Sequence, residues 1–142
     1  MHGRGTQTWI SGNKYIGDFI NGTITGQGTF TWSNGTTYEG DFKDGKKHGH
    51  GTQKWANGDK YIGDWANGHR TGQGTYTWFN GDEYIGDWVN DKMHGQGTKT
   101  WIDGRKYIGE WVNGNRHGRG KMSYSNGTIN EGLWRDNVFT SN

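Results

Sequence analysis

Residues 61–81 read YIGDWANGHRTGQGTYTWFNG, a stretch holding five glycines and five large aromatics. Tyr61, Gly63 and Trp65 are spaced by two, and so are Gly72 and Gly74, with Trp78 completing a G-x-G-x-x-x-W run. Spacing by two places side chains on one face of a strand. The intervening ANG (66–68) and FNG (79–81) carry Asn-Gly turn chemistry. Glycine at this density opposes a helix, because each one costs about 1 kcal/mol relative to alanine. The stretch therefore reads as two short strands and two turns.

The unit recurs with a period of 23 residues. Tyrosine returns at 15, 38, 61, 84 and 107. Glycine stands two residues on, through Gly132, and an aromatic two further: Phe19, Phe42, Trp65, Trp88, Trp111 and Trp134. A second aromatic series runs Trp9, Trp32, Trp55, Trp78, Trp101 and Tyr124, each followed three residues later by glycine. Repetition of a two-strand unit predicts an all-β fold: a single-layer antiparallel meander of about twelve strands. Its units are a half unit at 1–14, full units at 15–37, 38–60, 61–83, 84–106 and 107–129, and a degenerate capping half unit at 130–142.

Composition agrees. Only 27% of the 142 residues are hydrophobic and mean hydropathy is -1.13, yet aromatics make up 15%, with nine Trp. Disordered chains are poor in aromatics. No run approaches the ~18 apolar residues of a membrane helix. The absence of Cys removes disulfides and thiolate metal sites, and a net charge of +2 is too small to imply nucleic acid.

Pairing can be worked out from the turns. A three-residue loop at 33–35 pairs Trp32 with Thr36, Phe30 with Tyr38, Gly28 with Gly40 and Gly26 with Phe42. A four-residue loop at 21–24 pairs Phe19 with Gly26, Gly17 with Gly28 and Tyr15 with Phe30. All these side chains share one face. Glycines then align from strand to strand as a trench (Gly17, Gly28, Gly40, Gly51, Gly63, Gly74) flanked by rings that can lie over the bare backbone.

The pattern Y-x-G-x-W-x-x-G followed by H-G-x-G-x-x-x-W-x-x-G, at this period, resembles the MORN repeat (membrane occupation and recognition nexus). The resemblance implies an elongated twisted sheet with an aromatic groove, and a scaffold that binds peptides or associates with itself. It also implies a cytoplasmic protein, associated with cytoskeleton or membrane. Thr25 and Thr71 depart from the pattern, standing where His2, His48, His94 and His117 keep it. Phe30, Tyr76 and Met122 alternate with Gln7, Gln53 and Lys99, which suggests duplication of a pair of units. The last unit has Asn130 for the tyrosine and Leu133 for the acid, as expected of a cap. The chain opens halfway through a unit, which fits a piece of a longer protein or a start on a lone strand.

The candidate sites follow from this frame. A peptide or helix along the groove would contact Tyr38, Phe42, Trp55, Tyr61, Trp65, Tyr84, Trp88 and Trp101; sugar rings could stack on the same ladder. The turns after the Y-x-G-x-W strands carry Lys46, Lys47, Arg70, Lys92 and Arg116, a basic edge that would attract an anionic membrane weakly. The recurring G-x-G is no phosphate loop, because no helix N-terminus follows it. His48, His94 and His117 do not make a zinc site: equivalents two units apart lie roughly 19 Å apart at ordinary strand spacing. Asp18, Asp41, Asp64, Asp87 and Glu110 form a ladder on the face opposite the rings. They read as a solvated row, since identical acids on an open face lack the two environments that acid–base catalysis needs. No catalytic residue, cofactor or metal is expected, nor a nucleic-acid partner.

Overall fold

A computed structural model describes residues 2–141, and every regular element among them is a strand. The chain forms two compact units, residues 1–69 and 70–142. The first holds β1 (Gly3–Thr8), β2 (Lys14–Ile20), β3 (Thr23–Thr31), β4 (Thr37–Lys43), β5 (Lys46–Lys54) and β6 (Lys60–Ala66). The second holds β7 (His69–Thr77, whose first residue closes the first unit), β8 (Glu83–Val89), β9 (Lys92–Thr100), β10 (Lys106–Val112), β11 (Asn115–Ser123), β12 (Ile129–Arg135) and β13 (Val138–Ser141). Within each unit the strands are antiparallel and pair in chain order, making an open meander. Short β13 adds to the expected dozen.

Two hairpin types alternate. The first is the expected three-residue loop. Trp32 N–H donates to Thr36 C=O at 2.8 Å and Gly35 N–H to Trp32 C=O at 3.0 Å. The Asn34 carboxamide accepts the Thr36 N–H at 2.9 Å, which explains the Asn or Asp that recurs before this glycine. Phe30 faces Tyr38, Gly28 faces Gly40 and Gly26 faces Phe42, as expected.

The second hairpin corrects the expected register. Phe19 pairs with Ile24, not Gly26. Asn21 and Gly22 both take left-handed φ, 51° and 79°, and close a two-residue turn. The surplus residues are absorbed further along. Thr25, Gly26 and Gln27 bulge opposite Asp18, before Gly17 meets Gly28 as expected. The slip is two residues, so side chains keep their faces; a slip of one would have inverted them. It does move Lys47, Arg70 and Arg116 out of the turn. They are the second residues of β5, β7 and β11.

The acids are also more than a solvated row. The Asp18 carboxylate accepts the Gln27 N–H of the bulge at 2.9 Å. Asp41 does the same for His50 and Asp87 for Gln96, each at 2.9 Å, and Glu110 for Arg119. Each acid pins the bulge on the following strand and satisfies an amide that the ladder leaves unpaired.

Each unit buries its own rings without a second layer. Gly17–Gly28–Gly40–Gly51–Gly63 align across β2–β6, and Gly74–Gly86–Gly97–Gly109–Gly120–Gly132 across β7–β12. Tyrosine fills the trench: a Cβ on Gly28, Gly51, Gly97 or Gly120 would overlap the Tyr15, Tyr38, Tyr84 or Tyr107 ring. These tyrosines, with Tyr61, are 0% exposed. Their hydroxyls cross the trench and donate to the backbone C=O of Asp18, Asp41, Asp64, Asp87 and Glu110 at 2.8–3.0 Å. Trp65, Trp88, Trp111 and Trp134 stand beside them, their indole N–H donating to trench-glycine carbonyls at 3.0–3.2 Å. Edge-to-face contacts link the two types: Tyr84 touches Trp88 at 5.3 Å and Trp111 at 5.3 Å, and Tyr107 touches Trp111 at 5.2 Å and Trp134 at 5.4 Å. Edge-to-face is the arrangement that ring quadrupoles favour.

Candidate functional site

Two aromatic rows thus share one face of each unit, and they differ in exposure. The row in the Y-x-G-x-W strands is interior. Tyr38, Tyr61 and Tyr84 are sealed, and Phe42, Trp65 and Trp88 are 7%, 4% and 4% exposed. The row that follows the G-x-G strands is half-exposed: Trp9, Trp32 and Trp55 in the first unit, and Trp78, Trp101 and Tyr124 in the second. Of the eight residues expected to touch a ligand, Trp55 and Trp101 therefore present accessible ring surface. The other six support the face from beneath. Sequence periodicity puts both rows on one face but does not order them in depth. Depth is decided by the trench, which the tyrosine row fills and its Trp or Phe neighbours flank.

The basic residues sort in an unexpected way. Lys46 and Lys92, first in β5 and β9, are exposed as an edge requires. Lys47, Arg70 and Arg116 instead lie over rings. The Lys47 ammonium sits 4.5 Å from the Trp65 centroid and 5.6 Å from that of Trp32, and donates to the Gln53 side-chain oxygen at 2.7 Å. The Arg70 guanidinium lies 4.9 Å from Trp88 and pairs with Asp91 at 3.2 Å. Arg116 lies over Trp101, Tyr107 and Trp134 at 5.4–5.9 Å. They do not belong to a turn edge, because the two-residue turn places them one step into the strand, on the aromatic side.

Two further cations lie on this face, Lys99 and Arg105, the second of which the turn pattern assigns instead to the opposite, mixed-sign edge with Asp59, Lys60, Asp82, Glu83 and Lys106. The Lys99 ammonium lies between two indoles, 4.4 Å from Trp78 and 4.9 Å from Trp101. Arg105 covers Trp101 at 4.6 Å. The signal was present: Lys99 is two residues before Trp101 and Arg105 two before Tyr107, so strand parity puts both on the ring face.

The histidines serve the turns. His48, His94 and His117 accept, through Nδ1, the backbone N–H of Asn67, Asn113 and Asp136 at 3.3–3.4 Å. Thr25 and Thr71 accept from Asp44 and Asn90 with their hydroxyls at 3.1 and 3.2 Å. Histidine and threonine thus exchange at this position because either supplies an acceptor. Among the described residues no group of three or more His, Asp or Glu could hold a metal ion.

An open antiparallel repeat, with a rigid aromatic ladder under a half-exposed aromatic row, defines a class of binding repeat. The family model described as the MORN repeat matches residues 1–14, 15–37, 38–60, 61–83, 84–104 and 107–129, and the chain belongs to that family. No curated protein matches it. Repeats of this family are associated with protein and membrane interaction, and the family is an interaction module, not one known for catalysis.

Proposed function

We propose that the chain is a non-enzymatic interaction module whose ligand is a peptide segment of another protein, bound on the aromatic face. The observation that carries this reading is the half-exposed Trp row standing on a sealed ladder of Tyr and Trp. The sealed row consumes its polar atoms internally, its hydroxyls and indole N–H groups all bonded to backbone. The exposed row therefore stands on a rigid base, and large preorganised rings give contact area at low entropic cost.

Selection of a displayed random peptide library on the whole chain tests this. Enrichment that is lost in Trp55→Ala or Trp101→Ala, with circular dichroism unchanged, is the expected result. Binding of anionic vesicles or of a glycan panel, with no peptide enriched, would overturn it.

A further inference from the structure

The second unit carries a cluster that the first lacks. Around the half-exposed Trp101 stand Lys99 at 4.9 Å, Arg105 at 4.6 Å and Arg116 at 5.5 Å. Three positive groups converge on one ring, and little nearby negative charge answers them. Asp103 pairs with Arg105 at 2.9 Å. Asp82 lies near enough to favour the charged form of Lys99, but its carboxylate also accepts the Ile102 N–H at 2.9 Å. Lys99 and Arg116 form no ion pair among the described residues. Arg116 donates to the Asn137 backbone oxygen at 2.9 Å, while its Nε is buried with no acceptor. Ring faces attract cations but offer no lone pair to a strong N–H donor.

Electrostatics point the same way. Burial lowers the Lys99 pKa; Asp82 opposes this, while Arg116 and Arg105 add to it. Burial and then Arg105 lower that of Arg116. The cluster holds positive charge that the chain itself answers only in part. Beside it, sharing Trp78, is a depression of about 220 Å³ lined in part by Tyr76, Trp88 and Met93.

We propose that Lys99, Arg105 and Arg116 bind a side-chain or terminal carboxylate of an acidic peptide, laid against Trp101 with an apolar side chain in the adjoining depression. The inference rests on the aromatic face being a peptide site and names the chemistry of its ligand. Charge complementarity selects the occupant, since a carboxylate relieves three like charges at once and offers an acceptor to the unpaired Lys99 ammonium. An extended peptide is chosen over a membrane because Lys99 is held between two indoles and all three cations are only partly exposed. A single chain reaches such recessed groups; a plane of headgroups favours protruding ones.

The repeat supplies gentle variants. Gln53 occupies the position of Lys99, Thr128 that of Arg105 and Met93 that of Arg116. Lys99→Gln, Arg105→Thr and Arg116→Met are thus residues that this scaffold already carries. The peptides enriched on the whole chain are the probe, synthesised as selected and with Asp and Glu changed to Asn and Gln. The expected result is enrichment of acidic peptides, about tenfold weaker binding for each variant and for each neutralised peptide, and weakening with added salt. Peptides enriched without acidic residues, lost in Trp101→Ala but indifferent to Lys99→Gln, would overturn the carboxylate site and leave the peptide reading standing. No enrichment of any peptide would overturn both. Binding of anionic vesicles that the three variants abolish, with acidic peptides inert, would assign the cluster to a headgroup and overturn the proposal.

Discussion

Lys47 in the first unit and Arg116 in the second stand three repeats apart in equivalent places, and their surroundings differ in one telling respect. Lys47 lies over Trp32, Tyr38 and Trp65, and Arg116 over the equivalent Trp101, Tyr107 and Trp134. Lys47 also has Gln53, whose amide oxygen accepts its proton at 2.7 Å. At the place of Gln53 the second unit has Met122, buried and without a comparable acceptor, and Arg116 Nε has no partner. The scaffold is shared, and three series of positions beside the rings change chemistry from repeat to repeat. The series 24–47–70–93–116 reads Ile, Lys, Arg, Met, Arg, and the series 30–53–76–99–122 reads Phe, Gln, Tyr, Lys, Met. The third, 36–59–82–105–128, reads Thr, Asp, Asp, Arg, Thr. Trench glycines and the sealed tyrosines hold the sheet, while these three positions tune the chemistry of its face.

If the scaffold is shared, the two units should fail alike when it is damaged. Gly51→Val and Gly97→Val each drive a side chain into a sealed tyrosine, Tyr38 or Tyr84. Neither can be relieved by a flexible neighbour, because the ring is itself packed and its hydroxyl bonded to backbone. Each should cost more than about 4 kcal/mol, beyond ordinary overpacking. Loss of the far-ultraviolet strand signal in both is the expected outcome; a folded Gly97→Val protein would break the parallel.

Alkaline titration examines the same ladder. Burial raises the Tyr38 and Tyr84 hydroxyls above their ordinary value, and pushes Tyr107 up to about 12 against the pull of nearby Arg116. A folded-state pKa above the unfolded one means stability that is whole below about pH 10. It is lost as pH rises from there through the folded values. Tyrosinate absorbance from the sealed residues should therefore appear together with loss of strand signal. Tyrosinate that forms at ordinary pH in an intact fold would show the ladder to be solvent-accessible.

Smaller effects sharpen the comparison. Asp41→Ala and Asp87→Ala each release one bulge amide, His50 or Gln96, and should cost about 1 kcal/mol in either unit, since the bonds are charge-assisted but exposed. Chemical denaturation measures both. Lys47→Met and Arg116→Met should differ in size. The first loses the Gln53 bond and is destabilised by about 0.5–1 kcal/mol. The second loses the bond to the Asn137 carbonyl but also removes a buried Nε without an acceptor and one of three crowded charges, so its net loss is smaller. Equal losses for the two would erase the distinction between the units.

Much of this was legible in the sequence. Spacing by two and the 23-residue period gave the strands, the shared face and the glycine trench. The three-residue hairpins followed from their Asn-Gly and Asp-Gly pairs. The other hairpin was misjudged because Asn21-Gly22 fits a longer loop as readily by composition. Only the bulge, held by Asp18, decides for the short turn. That one choice hid Lys47, Arg70 and Arg116 from the aromatic face. It also hid the work of the acids, whose bonds are to backbone amides that no side-chain pattern reveals. Burial depth was not legible either, because Trp101 and Trp111 are alike in sequence and differ only in whether a tyrosine-filled trench lies beside them.

That last pair offers the most direct test of the central claim, that one aromatic row holds the fold and the other meets ligands. Trp111 is 2% exposed, wedged between Tyr84 and Tyr107, while Trp101 is half-exposed beneath its cations. Equilibrium denaturation of Trp111→Ala and Trp101→Ala should show a loss of about 3–5 kcal/mol for the first and under about 1.5 kcal/mol for the second. Equal losses would contradict the division of the face into a structural row and a binding row.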